Sequence, residues 1–260
     1  MPFRSRDGLS WWYDEVLDEL GVWHGVFTRQ GGVSPAPWNT LNTSITVGDD
    51  PRRVRENLVR AFQALERPFA SRYDTWLVHG AQVVQALVPR GRRMPPLQAD
   101  AIITHSAQVT LLMRFADCLP ILVYEPRRRV LGMAHAGWRS TARGVAMALV
   151  EALVQAYDAR PADMVAVLGP AIGPDHYEVG PDVHQALRAA FGEAAEAWFR
   201  PRGKRFTLDL WAANAWQLRR AGVGTVRISG LCTACDTRRW FSHRAEKGRT
   251  GRFPVLMALK

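Results

Sequence analysis

Two short apolar runs, residues 119–124 (LPILVY) and 130–135 (VLGMAH), are joined by the charged turn EPRRR at 125–129. No other stretch constrains the fold as much. Both runs are short and rich in β-branched residues, so they read as the paired, buried strands of a hairpin. Cys118 and His135 then stand at the open ends of neighbouring strands, close in space although seventeen positions apart. A metal site on a rigid sheet needs that arrangement. Gly137 ends the second strand, and WRSTARG leads into an apolar helical run, 145–156, with Ser140 or Thr141 as the expected N-cap. A helix N-terminus beside a metal and an arginine suits an anion.

A chain of 260 residues, 47% of them hydrophobic, has length enough for one large α/β core, and no shift of composition divides it. We therefore expect a single domain over 1–260. The first twenty residues are charged throughout and lack an apolar leader core, and no apolar run reaches membrane-spanning length. The expectation is a soluble, cytoplasmic protein with no membrane partner. Three cysteines, Cys118, Cys232 and Cys235, make no disulfide framework and direct attention to metal or catalytic roles. The net charge is +10, but the 31 arginines are spread along the chain with few runs. That is not the footprint of a nucleic-acid binder, although a positive field also suits small phosphate-bearing substrates.

Residues 1–20 read as a short helix, 22–28 as a strand, and the loop that follows is punctuated by Gly31, Gly32, Pro35 and Pro37. Asp50-Pro51 opens a helix with Val54, Leu58, Phe62 and Leu65 on one face. Strands are expected at 76–78, 83–87, 101–104, 109–113, 164–168 and 225–229, and helices at 181–199 and 208–221. Basic connections are expected at 90–96, which we read as flexible, and at 200–206. Strand pairs with hairpin-length links, separated by helices, argue for mixed sheets with helices outside. No GxGxxG or P-loop is present, which disfavours dinucleotide and nucleoside-triphosphate chemistry.

His79 precedes a glycine after a strand-like run, so His79, Cys118 and His135 form a candidate Cys/His/His set that leaves a fourth metal position open. Taken singly, a buried cysteine or core histidine is more often a packing residue than a ligand. Cys232-Thr-Ala-Cys235 has no second CxxC and reads as mostly structural. Asp117, beside Cys118, is a candidate orienting group or base, and equally a turn residue. Arg29, Arg139 and Arg244 are candidate phosphate or nucleoside contacts, and any one of them could instead be a surface ion-pair partner. Asn42 and Tyr177 complete the substrate-binding candidates.

The chain resembles the laccase-domain family, whose members have been described as multicopper polyphenol oxidoreductases, as zinc-dependent purine nucleoside phosphorylases and as peptidoglycan editing factors. The matching stretches are HGVFTRQGGVS (24–34), VGDDP with ENL (47–58), VHG (78–80), ADAIIT (99–104), ADCLPILVYEP (116–126), HAGWRSTARG (135–144), GPAIGPDHYEVG (169–180) and CTACDTRRWFSHR with GRTGR (232–252). The resemblance implies a layered α-β-β-α sandwich with zinc at His79, Cys118 and His135. It also implies phosphorolysis of adenosine, inosine, guanosine and methylthioadenosine, with hydrolytic deamination of adenosine. The partners are then purine nucleosides and phosphate, and the assembly a monomer or small homo-oligomer. The chain departs from the family pattern in having Leu77 for glutamine, Asp175-His176 for a cysteine pair, and Trp240 and His243 for phenylalanine and tyrosine.

A three-ligand zinc activates water near neutral pH, and phosphorolysis needs an anion held beside C1′ of the ribose. We expect Arg29 and Arg139 to serve phosphate or ribose, and Asp117 to handle protons. His176, on the turn after strand 164–168, is expected to act as a base in preference to a fourth ligand. A copper-dependent polyphenol oxidase is the rival reading, with copper less favoured than zinc because the seven histidines are scattered without an HxH pair. A quality-control factor acting on a peptidoglycan precursor would share the need for a basic pocket.

Overall fold

The computed structural model describes residues 2–91 and 94–260; Arg92 and Arg93 of the expected basic loop lie outside them. Strands and helices are numbered along the chain. One six-stranded sheet runs in the order β1 (Phe3–Arg6), β2 (Leu9–Trp12), β3 (Val22–Phe27), β15 (Phe253–Leu259), β7 (Thr110–Phe115), β4 (Arg72–Asp74). The other runs β14 (Thr225–Ile228), β10 (Val165–Leu168), β8 (Leu119–Glu125), β9 (Val130–Ala136), β6 (Ala101–Thr104), β5 (Val83–Gln85). A small third sheet joins β11 (Glu178–Val179), β13 (Arg205–Leu208) and β12 (Phe199–Arg202).

Every residue of β8, β9 and β15 is buried. A strand buried at successive positions must be covered on both faces, and the core shows how. Phe253, Val255 and Met257 of β15 meet Leu122 and Tyr124 of β8 and Leu131 and Met133 of β9 between the two sheets. The intervening Leu256 points outward against Val54, Leu58 and Phe62 of helix α2 (Pro51–Ala64). On the far side Ile121, Val123 and Ala134 pack with Leu149 and Leu153 of α4 (Val145–Tyr157) and with residues of α5 (Pro181–Phe191) and α6 (Leu210–Arg220). The layering is therefore helix, sheet, sheet, helix, and the mixed α/β sandwich expected from the sequence is the fold observed. Asp50 caps α2 by accepting from the Arg52 amide at 2.8 Å, with Pro51 in the first turn.

Several expectations are corrected. Where one helix was expected over 1–20, the described residues 2–20 form the β1–β2 hairpin and a five-residue helix, α1 (Glu15–Glu19). Asp7 and Gly8, with φ of 51° and 79°, make the two-residue turn, and Asp-Gly is the sequence signal for such a hairpin. The expected strand at 76–78 shrinks to an isolated bridge between Trp76 and Gln98. Residues 200–206 are a second tight hairpin, β12–β13, in which Arg202 faces Arg205. Ser140 and Thr141 lie inside a short helix, α3 (Trp138–Ala142), while the residue capping α4 is Gly144 at φ 77°. The central strand β15 had no counterpart in the sequence reading. No helix among the described residues is long and apolar enough to cross a membrane.

Candidate metal centre

Side chains alternate along β9, so the neighbours of Leu131 and Met133 on the inter-sheet face include His135. It lies at the end of the strand, opposite Pro120 in the register with β8. Its ring stands 5.3 Å from that of Phe115 on the facing sheet. Cys118 immediately precedes β8, and the ligand atoms of His79, Cys118 and His135 all lie within 4.8 Å of one another. The three residues named from the sequence thus converge at one end of the sandwich.

Asp100 explains much of this geometry. It is fully buried just before β6, and its Oδ1 lies 3.0 Å from His135 Nδ1, which leaves Nε2 as the free ring nitrogen. Its Oδ2 accepts from the backbone amides of Gly80 (2.7 Å) and Val78 (3.1 Å), closing the loop that carries His79. One carboxylate therefore orients one ligand and fixes the segment bearing another, the arrangement typical of metal-binding histidines. Arg143 donates to the His79 carbonyl at 2.5 Å. His79 itself has φ of 56° and Asp117, next to Cys118, has φ of 84°. Both are left-handed conformations that non-glycine residues keep only when surrounding bonds enforce them. A Cβ on Gly137 would fall 3.0 Å from Cys118 Sγ and 3.3 Å from His79 Cδ2, so glycine there preserves the space between the ligands.

The electrostatics suit a thiolate. Burial opposes charge on Cys118, but His135 and then His79 outweigh it, holding the thiol down at about 6. Burial likewise opposes charge on His135, which the Cys118 thiolate and Asp100 raise to about 9. Tyr177 is pushed up by burial and by the charges of Cys118 and Asp117, with Arg244 and Arg139 acting in the opposite sense. Its phenol stays protonated and able to donate. The Arg244 guanidinium lies 5.2 Å from the Tyr177 ring and donates to the Glu178 carbonyl, and Arg139 stacks on Trp138 at 4.3 Å.

Four expected site residues have other occupations. Arg29 is 7% exposed, donates to the carbonyls of Asn39, Thr237 and Trp240, pairs with Glu246 at 2.9 Å and stacks over Phe241. It clamps two loops together. Asn42 is fully buried; its amide donates to Ser44 and Asp49 and its oxygen accepts from the amides of Ser44 and Arg252, which exhausts its capacity. The carboxylate of Asp117 accepts from Thr233 Oγ1 (2.7 Å) and the Arg244 amide (2.6 Å), so it braces the approach to Cys118. His176 is exposed and grouped with Cys232 and Cys235, not with the first three ligands. Conversely, Asp100 and Arg252 escaped the sequence reading. An acidic residue directly before the apolar strand of ADAIIT was the available signal for Asp100. Arg252, in GRTGR, is depressed by burial and feels the opposing charges of Cys118 and Asp117.

The family model described as multi-copper polyphenol oxidoreductase laccase matches residues 23–260. A purine nucleoside phosphorylase of Pseudomonas aeruginosa is 42% identical over 240 residues, covering 90% of this chain and 92% of that protein. One from Deinococcus radiodurans is 40% identical over 244 residues, covering 92% and 90%. The crystal structure of YlmD from Geobacillus stearothermophilus superposes with a TM-score of 0.92 at 32% identity, covering 99% of this chain and 98% of that one.

Proposed function

Since the chain belongs to the multi-copper polyphenol oxidoreductase laccase family, and relatives 42% and 40% identical to it are named purine nucleoside phosphorylases, we propose that it is a zinc-dependent purine nucleoside phosphorylase, acting as one domain. Its substrates are adenosine, inosine, guanosine and methylthioadenosine, and it also deaminates adenosine. The observation that carries the metal assignment is the convergence of His79, Cys118 and His135 around a space that Gly137 keeps clear. Two imidazoles and a thiolate, with an outer carboxylate on one imidazole, are a zinc donor set. Zinc held there supplies Lewis acidity and eases loss of a proton from water near neutral pH.

The chain's own residues supply the rest. Asp100 holds the His135 tautomer and the His79 loop. Arg139 and Arg244 provide positive charge for phosphate beside C1′ as the bond to the purine breaks and the sugar becomes cationic. Tyr177, kept protonated by burial, offers a hydroxyl hydrogen to substrate. Phosphorolysis yields ribose 1-phosphate and the free base; water at C6 of adenosine yields inosine and ammonia. A multicopper oxidase would need clustered histidines. Here His24 is bonded to the Val22 carbonyl and the Asp14 amide, His105 meets Tyr157 edge-on, His184 pairs with Glu196 and His243 lies beside Arg252. The donor set therefore disfavours the oxidase.

Purified protein incubated with adenosine, with and without phosphate, is the test. Phosphate-dependent adenine with ribose 1-phosphate supports phosphorolysis, and inosine in both samples supports deamination. Neither product, from protein shown to hold metal, would overturn the reading.

A further inference from the structure

The geometry points to a second metal site, formed by His176, Cys232 and Cys235, that takes a thiophilic divalent cation of the zinc type. The ligand atoms of these residues lie within 4.8 Å of one another, although the sequence places the histidine more than fifty positions from the cysteines. The fold builds this meeting from two straps. Ala171 pairs with Cys232 in a parallel bridge, the Ala171 amide donating to Leu231 O (3.1 Å) and the Thr233 amide to Ala171 O (3.0 Å). The His176 amide donates to Gly173 O at 3.0 Å, turning the histidine back toward the cysteine pair. Cys232 Sγ accepts from the Gly173 amide at 3.1 Å, which ties that sulfur to the turn carrying His176. A Cβ at Gly173 would fall 3.2 Å from that sulfur, so glycine eases the close approach.

The CxxC spacing with an imidazole as third donor is a soft, nitrogen- and sulfur-rich set that prefers zinc over hard cations. Binding releases the thiol protons and forms two metal–sulfur bonds and one metal–nitrogen bond, leaving a fourth position to solvent because His176 and Cys235 are exposed. The site is also coupled to the first one. Thr233, between the two cysteines, donates to Asp117, whose φ of 84° sets the entry to Cys118. A metal here would act as a brace on that turn, not as a participant in the reaction.

The test uses the full chain, reduced, loaded with zinc or cobalt, freed of excess metal and assayed for metal content. Two metals per chain are expected in the wild type and one in Cys118→Ala. Cys235→Ser should also hold one, and because Cys235 is exposed this variant is expected to fold. The cobalt form of Cys118→Ala should keep a thiolate-to-cobalt charge-transfer band. Adding Cys235→Ser should abolish the band, and adding His176→Ala should weaken it. A wild type with one metal and a Cys118→Ala protein with none would overturn the second site alone. One metal in both, lost in Cys235→Ser, would support it while removing the first.

Discussion

Asp100 spends a single carboxylate on two ligands, so its replacement should separate metal binding from folding. Asp100→Asn is expected to weaken metal binding by about 10–100-fold, read by competition with a chromophoric chelator, while the unfolding transition stays cooperative. Gly137→Ala should lower metal content as well, because the added methyl would press on Cys118 Sγ at 3.0 Å. Arg29 illustrates the opposite case. Removing its side chain would strand Glu246 and three backbone carbonyls, so Arg29→Ala should cost about 3 kcal/mol of stability, measured as a shift of the urea midpoint. An unchanged midpoint with a raised KM for phosphate would return Arg29 to the substrate site. The three metal-binding candidates were legible because thiol and imidazole chemistry shows in residue type and motif. The burial of Arg29 and Asn42 was not legible, because it depends on their loop meeting residues more than two hundred positions away.

Among the elements, β3 carries a pH-sensitive residue. His24 is 4% exposed, Nδ1 donating to the Val22 carbonyl and Nε2 accepting from the Asp14 amide, each at 2.9 Å. This is the neutral tautomer, and burial holds its pKa below 6.5 despite the nearby Asp14 and Asp18. Above that value both folded and unfolded chains are neutral at this position. Below it the unfolded chain takes up a proton that the folded one resists, so stability falls as pH drops from about 6.5 toward the depressed pKa. The difference in urea midpoint between about pH 7.5 and about pH 5.5 should shrink in His24→Gln; an undiminished difference would assign the pH dependence elsewhere. On α2, Asn57 donates to Ser34 Oγ and the carbonyls of Thr40 and Asn42 and accepts from the Val33 amide. The helix thereby holds the long loop after β3. The β8–β9 hairpin and α2 could be read in advance because each has an unbroken apolar signal at its own period. The β1–β2 hairpin was obscured by its exposed outer strand, and β12–β13 by its arginines, which face solvent on a small sheet.

At the scale of the molecule, the two sheets enclose one apolar layer and α2, α4, α5 and α6 cover the outer faces. The hairpin bearing Cys118 and His135 is central to one sheet, which explains how two ligands are held rigidly while the third sits on a loop tied down by Asp100. The other sheet depends on β15, antiparallel to both β3 and β7. Deleting residues 253–260 should therefore abolish cooperative unfolding and soluble expression; a folded, soluble truncation would show that β3 and β7 can close on each other. This position was invisible in the sequence because an apolar segment does not reveal which distant strands it will separate. It also sets a timetable. Until residues 253–259 have been translated, the facing edges of β3 and β7 have no partner, and at ~5–20 residues per second the wait after β7 is on the order of ten seconds. During that interval the nascent chain presents two open strand edges to its crowded surroundings, so shielding of those edges on the ribosome should raise the yield of folded protein.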